Sequence, residues 1–257
     1  MCIRDRFKIK NIIQTDSKTA ELTKYMNNTF FATKVSIMNE FKLLCDKIGA
    51  NWEDALLGFI SDGRIGNSHL NVPGHDGKLG YGGTCFPRDT FAFNHLNKSL
   101  GLSTDLFDSI DSINRFQDQS LFERVLAEIS DDNTRKVGIL GMAFKPSTPV
   151  IEQSVGVKLL DMLLTSELAL DISISDFYAT DNIKSIYGDK INYSSSHMDC
   201  LNNSDIVIFI NNENNFVNDL KSFRPDRKIT IIDCWRSLDE IILDDNLRII
   251  RWGSFTN

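Results

Sequence analysis

One cysteine in this sequence has neighbours that favour chemistry. The stretch GYGGTCFPRD, from Gly80 to Asp89, places three glycines before Cys85, and a proline and two charged residues after it. Glycines let a backbone approach a ligand closely and adopt positive φ. Because a proline at a first turn is typical of a helix start, Cys85 is predicted to lie where the positive end of a helix favours a thiolate.

The residues that follow Cys85 could tune such a thiol. Arg88 adds a positive charge near the predicted thiolate, and Asp89, four residues beyond the cysteine, falls on the same helical face. A carboxylate there can hold a water molecule or position a cation. A structural cysteine buried beside a turn has the same local pattern, because free cysteines are among the most buried residues. Spacing alone leaves both interpretations open.

Long helices are predicted on both sides of this segment. Apolar residues recur at the helical period from Lys18 to Lys47, after N-cap candidates at Thr15, Asp16 and Ser17. Similar patterns predict helices in WEDALLGFI after Asn51, from Pro87 to Leu100, and from Thr104 to Ile129. The glycine-rich stretch from Gly63 to Gly83 is predicted to be a long loop of the kind that carries function.

The pattern changes after Arg135. Apolar segments that predict strands alternate there with helical ones; the strand segments are KVGIL, LDISISD, DIVIFI and KITIIDC, and the helical one is SVGVKLLDMLL. Such alternation is typical of a doubly wound parallel sheet in an α/β domain. We therefore predict an irregular start over residues 1–15, an all-helical domain over 16–132 and an α/β domain over 133–257, with the boundary near Asp131 to Asn133.

Composition argues against several classes of protein. The net charge is -7 without a run of Lys and Arg, so a nucleic-acid partner is not expected, and no apolar stretch is long enough to cross a bilayer. The five cysteines are scattered without a CxxC pair, and the four histidines show no metal-ligand spacing. We therefore expect no disulfide framework, no metal and a reducing, cytoplasmic environment.

The segment GYGGTCFPRD closely resembles the catalytic-cysteine motif of the UDP-glucose/GDP-mannose dehydrogenase family, whose usual form is Gly-Gly-Ser-Cys-Phe-Pro-Lys-Asp. Three more segments are similar to that family in the same order: AELTKYMNNTFFATKVSIMNE, DGRIGNSHL and VGILGMAFKPST. The resemblance covers nearly the whole chain from near Thr15 onward. It implies a helical central dimerisation domain followed by a Rossmann-like domain that binds a UDP-sugar.

The resemblance implies a reaction and its catalytic residues. Members of this family oxidise the primary alcohol of a UDP-sugar twice with two NAD, through a thiohemiacetal and a thioester on the catalytic cysteine. Cys85 matches that nucleophile, and Asp89 matches an aspartate that orients the hydrolytic water. Lys24 and Asn28 match a lysine and an asparagine of the central helix. Their spacing of four residues places both on one face, where an ammonium and an amide can stabilise an oxyanion.

The resemblance also implies binding residues. The positions expected at the nucleotide sugar are Arg64, Asn71, Tyr81, Gly82, Phe144, Lys145 and Arg236. Arg64 is expected to act across a dimer of the central helices, and Trp235 is the alternative to Arg236. Arg88 and Glu152 match cofactor positions, although Glu152 reverses the charge of a family arginine that touches NAD. The expected partners are a UDP-sugar and a second copy of the chain.

One part of the family pattern is absent. The family begins with a Rossmann domain that carries G-x-G-x-x-G and a general-base glutamate, and neither precedes Ala20. We interpret the chain as truncated, with MCIRDR as a stray start and the main NAD site on the missing domain. We expect that this chain by itself does not oxidise UDP-glucose.

Two other functions stay open beside this one. Gly138 and Gly141 in VGILGMAF could form a dinucleotide-binding turn, with Asp176 holding a ribose. The chain could also be a nucleotide-sugar-binding and dimerisation module without turnover.

Substrate type and a hydrolase alternative are also read from single residues. Thr84 and Phe86 favour UDP-glucose over N-acetylated sugars, and GDP-mannose is the alternative. A cysteine hydrolase would need a histidine base, but no local context marks one among His69, His75, His95 and His197.

Overall fold

A computed structural model describes residues 12–74, 79–83, 85–129, 136–211, 214–234, 238 and 244–251. Its first region is helical and its second combines helices with a parallel sheet, as predicted. The predicted boundary at Asp131 to Asn133 lies outside the described residues, between a helix that ends at Ile129 and a strand that begins at Lys136. Within the described ranges, no helix has both the length and the apolar character needed to cross a membrane.

The described helices of the first region are α1 Ser17–Ile48, α2 Trp52–Ile60, α3 Phe86–Ser99 and α4 Asp105–Ile129. Helix α1 begins where Asp16 accepts a hydrogen bond from the Thr19 N–H at 3.1 Å. It ends at Gly49, whose φ of 70° gives the left-handed cap that glycine adopts without strain. Asn51 caps α2 through the N–H of Asp54. These local signals explain why the predicted bounds agree with the structure to within one residue.

The described part of the second region contains a parallel six-stranded sheet. Its strands are β1 Lys136–Leu140, β2 Asp171–Ser175, β3 Asn192–Tyr193, β4 Ile206–Phe209, β5 Ile229–Asp233 and β6 Leu247–Arg251. Its helices are α5 Val155–Thr165, α6 Thr180–Tyr187, α7 His197–Asn203 and α8 Asn214–Ser222. The strand order β3-β2-β1-β4-β5-β6 reverses between β1 and β4. The loops after these two strands therefore meet at the edge where doubly wound folds bind ligands.

One apolar core joins the two regions. The buried cluster shared by α4 and α5 includes Leu121, Val125, Ile129, Leu159 and Leu160. Beside this contact, the Lys158 ammonium donates to the Asp118 carboxylate at 2.7 Å. Because the helical and α/β regions pack directly on each other, a site that lies between them has walls from both.

One face of α1 exposes a row of large apolar side chains. Each is between 45% and 69% accessible, and the row comprises Leu22, Met26, Phe30, Ile37, Phe41, Leu44 and Ile48. Their spacing of three, four or seven residues keeps them on one side of the helix. Monomeric proteins rarely expose apolar rows of this extent. We call this surface the α1 apolar face.

Candidate active site

Cys85 differs in exposure from the other cysteines that the structure describes. It is exposed at the N-cap of α3, whereas Cys45, Cys200 and Cys234 are buried. Burial raises the pKa of the Cys200 thiol to about 11, and it raises the pKa of Cys234 as well. The interpretation of Cys85 as a buried structural cysteine is therefore wrong, and this thiol is open to a ligand.

A buried carboxylate lies one helical turn behind Cys85. The N–H of Asp89 donates to the Cys85 carbonyl at 2.9 Å, and only 1% of Asp89 is exposed. Asn28 Nδ2 donates to Oδ2 of Asp89 at 2.5 Å, and Lys24 Nζ lies 3.7 Å from the same oxygen. On the other side, Arg88 Nε donates to Oδ1 at 3.0 Å. Lys24 and Asn28 thus lie on one face of α1, as their spacing predicts, and in the structure the oxygen on which they converge is Oδ2 of Asp89.

This cluster keeps Asp89 charged. Burial by itself would raise the pKa of Asp89, but hydrogen bonds from Asn28 and Arg88 and the positive charges of Lys24 and Arg88 outweigh it, so the pKa is lowered. Asp89 is therefore an anion at neutral pH that holds an amide and two cations near the start of α3. Lys24 and Arg88 remain 52% and 62% exposed, so a ligand can still reach both cations.

A cavity of about 520 Å³ opens beside Cys85. Its walls come from α1, the loop before α3, the start of α3 and the loop after β1, and they include Val35, His69, Asn71, Tyr81, Gly82, Gly83, Cys85, Phe86 and Phe144. The volume suits a small-molecule ligand. Four of the residues predicted to bind a nucleotide sugar are brought together here, namely Asn71, Tyr81, Gly82 and Phe144.

The contact between Gly83 and Phe144 closes this cavity from the second region. A Cβ added to Gly83, whose φ is +79°, would lie 3.0 Å from the edge of the Phe144 ring. Only glycine therefore allows the ring to approach the backbone this closely without displacement.

Tyr81 is a buried part of the cavity wall. It is 7% exposed, and burial followed by the charge of Asp111 raises the pKa of its phenol to about 12.

Sequence reasoning missed His69 as a cavity residue. Its imidazole stacks on the Phe31 ring with centroids 4.3 Å apart, and it packs against Phe86 at 5.5 Å. The backbone of His69 has φ of 61°, a left-handed conformation that few non-glycine residues adopt. No local sequence pattern predicts a left-handed conformation at His69. The aromatic residues of α1, together with a histidine in the predicted functional loop, were the signal that could have indicated this contact.

Other residues predicted for the site lie outside the cavity walls. Arg64 is 87% exposed and donates to Asp62 from Nε at 2.9 Å and from Nη2 at 2.6 Å. Lys145 and Glu152 are exposed, and Arg88 turns to Asp89. The structure thus does not bring Arg64, Lys145, Glu152 and Arg88 into the cavity. The predictions for Thr84, Trp235, Arg236 and His75 lie outside the described residues.

The prediction that Asp176 could hold a ribose is wrong, because both its carboxylate oxygens are already bound. Oδ2 accepts from the N–H groups of Met142 and Ala143 at 2.6 and 3.0 Å. Oδ1 accepts from Tyr178 and Ala179 at 2.8 and 2.7 Å. The N–H groups of the turn after β1, which would bind the phosphates of a dinucleotide in such folds, therefore face an internal anion instead.

Gly138 of β1 and Gly141 of that turn also serve packing. A Cβ on Gly138 would lie 2.6 Å from Ser204 Oγ, and one on Gly141 would lie 2.5 Å from the Cβ of Asn211. Asn211, 1% exposed, donates to the Ala143 carbonyl at 2.7 Å and fills this space. The turn after β1 does not fit NAD, and among the described residues no group of His, Cys, Asp and Glu has the arrangement of a metal site.

Comparison with known proteins agrees with this arrangement. Two domain models of the UDP-glucose/GDP-mannose dehydrogenase family match the chain, the central domain over residues 18–116 and the UDP binding domain over residues 138–240. The chain belongs to this family.

Individual relatives give the extent of the likeness. The chain is 31% identical to the UDP-glucose 6-dehydrogenase YwqF of Bacillus subtilis over 77% of this chain and 44% of that protein. It is 31% identical to the UDP-glucose 6-dehydrogenase AglM of Haloferax volcanii over 86% of this chain and 50% of that protein. The UDP-glucose dehydrogenase structure from Pyrobaculum islandicum superposes with a TM-score of 0.76 at 26% identity, covering 94% of this chain and 54% of that one. The chain spans about half the length of the curated relatives it matches.

Proposed function

We propose that this chain carries the cysteine centre and the sugar-nucleotide site of an NAD-dependent UDP-glucose 6-dehydrogenase. The observation that supports this most is an exposed Cys85 thiol at a helix N-terminus, on a cavity walled by both regions, with the Asp89 cluster one helical turn farther along α3. Family membership and the UDP-glucose dehydrogenases among the relatives point to the same substrate class. NAD, when bound, supplies the acceptor for the hydride of both oxidations.

Cys85 acts as the nucleophile in this proposal. Its sulfur adds to the aldehyde carbon of the half-oxidised sugar and forms a thiohemiacetal, and it later carries the acyl group as a thioester until water releases the uronate. Attachment to Cys85 keeps the reactive aldehyde from leaving the cavity.

The Asp89 cluster supports this chemistry. The family resemblance gives Asp89 the role of orienting the hydrolytic water, and its carboxylate holds the ammonium of Lys24 and the amide of Asn28 side by side. These two donors stabilise the negative charge that develops on the substrate oxygen as the thiolate adds. Arg88, proposed as a cofactor contact, is held by Asp89 and remains more than half exposed.

The cavity walls bind the sugar nucleotide. Asn71, Tyr81 and Gly82 line the part that the helical region contributes, and Phe144 lines the part from the α/β region. Lys145 follows Phe144 directly, so its exposed ammonium is available to a diphosphate. Arg236 is proposed at the substrate and Glu152 at the cofactor from the family resemblance.

A homodimer through the central helices forms part of the proposal. The α1 apolar face has the length and composition of a helix–helix interface, and nothing in the described residues covers it. Arg64 extends into solvent, as a residue that reaches a partner's site must. We expect the chain to sediment as a dimer, Phe30→Glu to make it monomeric, and Phe91→Glu, on an exposed phenylalanine of α3, to leave the dimer intact.

Protection of Cys85 from alkylation tests the central claim. The chain is treated with iodoacetamide in the presence of UDP-glucose, GDP-mannose or NAD, and labelling is followed by peptide mass spectrometry. UDP-glucose is expected to slow labelling of Cys85 more than GDP-mannose does, and NAD is expected to have no effect. The buried Cys45, Cys200 and Cys234 serve as internal controls. Equal labelling with and without both sugar nucleotides would refute the proposal.

Turnover gives a separate check. The 257-residue chain with UDP-glucose and NAD is expected to produce no NADH, because the turn after β1 is closed to a dinucleotide. NADH formation would contradict that expectation, whereas sugar-nucleotide protection without turnover agrees with the binding module considered above.

A further inference from the structure

The backbone before Cys85 is held by side chains of two distant helices. The Gly80 N–H donates to Oδ1 of Asn39, on α1, at 3.0 Å. The Tyr81 N–H donates to Oδ1 of Asn114, on α4, at 2.6 Å, and Nδ2 of Asn114 donates back to the Tyr81 carbonyl at 3.0 Å. We call Asn39 and Asn114 the amide clamp. Since each polar backbone group needs a partner when it is buried, these contacts define the conformation of the segment.

Both amides are themselves held in one orientation. Asn39 is 2% exposed, and its Nδ2 donates to the Val35 carbonyl one turn earlier on α1 at 2.8 Å, which leaves Oδ1 aimed at Gly80. Asn114 uses its donor and its acceptor on the same residue, Tyr81, so a flipped amide would lose both bonds. Rotation of either side-chain amide is therefore opposed by the hydrogen bonds that it would break.

Gly80 is fitted to this clamp. Its φ is +82°, and a Cβ added there would lie 2.4 Å from Oδ1 of Asn114 and 3.3 Å from Cγ of Gln117. Any other residue would push Asn114 away from the Tyr81 N–H. The hydrogen bond from Tyr81 to Asn114 therefore requires a glycine at position 80, which lies 34 residues before Asn114 in the sequence.

The clamped residues are also the cavity wall. Gly80, Tyr81, Gly82 and Gly83 line the cavity, and Cys85 follows two residues later. The clamp acts on the backbone at the near end of this wall, and α3 anchors the far end. A shift at Gly80 and Tyr81 would therefore move the glycine wall relative to Cys85, which is held at the start of α3.

We propose that Asn39 and Asn114 are positioning residues that place the glycine wall beside the Cys85 thiol for the sugar nucleotide. This inference rests on the proposed function, in which Cys85 is the nucleophile. Neither amide lines the cavity, so both act through the backbone of Gly80 and Tyr81. Small displacements in such a wall matter, because effective catalysis requires reacting groups to be held in near-productive geometry.

Substitutions at Asn114 separate this role from simple stability. Asn114→Leu keeps the approximate size and removes both hydrogen bonds to Tyr81. Asn114→Asp keeps an acceptor for the Tyr81 N–H and loses the donor to its carbonyl. Asn246→Leu is the matched control, because the Asn246 amide donates to the Pro225 carbonyl at 3.0 Å in the α/β region, away from the cavity walls.

Three quantities are measured on each variant of the 257-residue chain: the melting temperature, the rate of Cys85 alkylation, and the UDP-glucose concentration that half-protects Cys85. We expect Asn114→Leu to raise the half-protecting concentration about tenfold, the factor that corresponds to roughly one net hydrogen bond, and to change the alkylation rate. Asn114→Asp should fall between Asn114→Leu and the wild type. Asn246→Leu should lower the melting temperature and leave the other two quantities within about twofold.

The outcomes distinguish this inference from the proposed function. A melting-temperature loss in Asn114→Leu with unchanged alkylation and protection would overturn the positioning role. If UDP-glucose fails to protect the wild-type chain, the proposed function fails, and the alkylation rate of Asn114→Leu still decides whether the clamp places the glycine wall beside the thiol. If Asn114→Leu does not fold, Asn114→Asp and Asn39→Asp, which keeps the acceptor for Gly80, decide by the same criteria.

Discussion

Asp89 in the helical region and Asp176 in the α/β region each accept hydrogen bonds from several donors, and the donors differ in kind. Asp89 is bound by the side chains of Asn28, Arg88 and Lys24. Asp176 is bound by backbone N–H groups, two from the turn after β1 and two from its own turn. Both carboxylates have hydrogen-bond donors on each oxygen, but of the two only Asp89 is paired with charged side chains.

The donors of Asp89 can exchange it for a ligand, whereas the donors of Asp176 hold a turn closed. Lys24 and Arg88 can leave Asp89 for a ligand because they are more than half exposed. The N–H groups around Asp176 cannot move without unfolding the turns that carry them. The α/β region therefore keeps the shape of a dinucleotide fold while its own carboxylate occupies the anion position, and the proposed cysteine chemistry lies in the helical region.

Removal of the Asp89 carboxylate is expected to have the largest effect on stability. Asp89→Ala leaves Asn28 without its acceptor and removes a buried carboxylate from two half-exposed cations, so we expect a loss of about 3 kcal/mol, the upper end for hydrogen bonds to a charged group. Urea denaturation at pH 7 measures the loss. Asp111→Ala is the control, because its pair with Arg115 is exposed and should cost less than about 1 kcal/mol. Equal losses in the two variants would remove the contrast drawn above.

The same carboxylate predicts a pH dependence. The pKa of Asp89 is lowered from 3.8 in the folded state, so its stabilisation is present above that value and is lost as pH falls through the folded pKa. The stability difference between the wild type and Asp89→Asn should therefore be constant near neutral pH and shrink below about pH 4. Denaturation curves from pH 7 to pH 3 measure it. A difference that grows toward low pH would reverse the sign of the argument.

Removal of the Asp176 carboxylate should cost less. Asp176→Ala leaves four N–H groups without an acceptor, three of them on the buried residues Met142, Ala143 and Ala179. Because Asp176 itself is only half-buried, water can replace part of the loss, so we expect about 2 kcal/mol. Asp176→Asn keeps one acceptor oxygen, so its free energy of unfolding should lie between those of the wild type and Asp176→Ala. If Asp176→Ala binds NAD measurably by calorimetry while wild type does not, the internal anion is what closes the turn; no loss of stability would contradict its structural role.

The rate of Cys85 alkylation tests the difference between Asp89 and Asp176 through a smaller expected effect. Asp89→Asn removes a negative charge one turn from the thiol and leaves Lys24 and Arg88 in place, so alkylation at pH 7 should rise about threefold. Asp176→Asn should leave the rate unchanged. Similar rates in both variants would mean that the Asp89 cluster does not act on the thiol.

The smallest expected effect on folding belongs to Arg64. Its ion pair with Asp62 is on the surface, so Arg64→Ala should change the free energy of unfolding by less than about 0.5 kcal/mol. If Arg64 serves a partner's site, the same variant weakens UDP-glucose protection of Cys85 in the dimer. Protection equal to that of the wild type would remove Arg64 from the proposed site.

Elements with strong local signals were predictable. The helical period, the capping residues Asp16 and Asn51 and the glycine at the end of α1 lie within a few residues of the features they determine, and the helix bounds agree closely. Strand β3 was missed because it has two residues, and β6 because its segment shows no regular alternation. The position of Cys85 at a helix start was predictable for the same local reason.

Contacts between distant residues were not predictable from pattern. Asn28 and Asp89 are 61 residues apart, and Gly80 and Asn39 are 41 apart, yet each pair shares a hydrogen bond. The amino-acid order is sufficient for the turns, periods and motif spacings, because these depend on neighbours along the chain. Which amide holds a glycine, which cation pairs with a carboxylate and which anion closes a turn depend on how the helices and the sheet pack, so they were decided only in the folded structure.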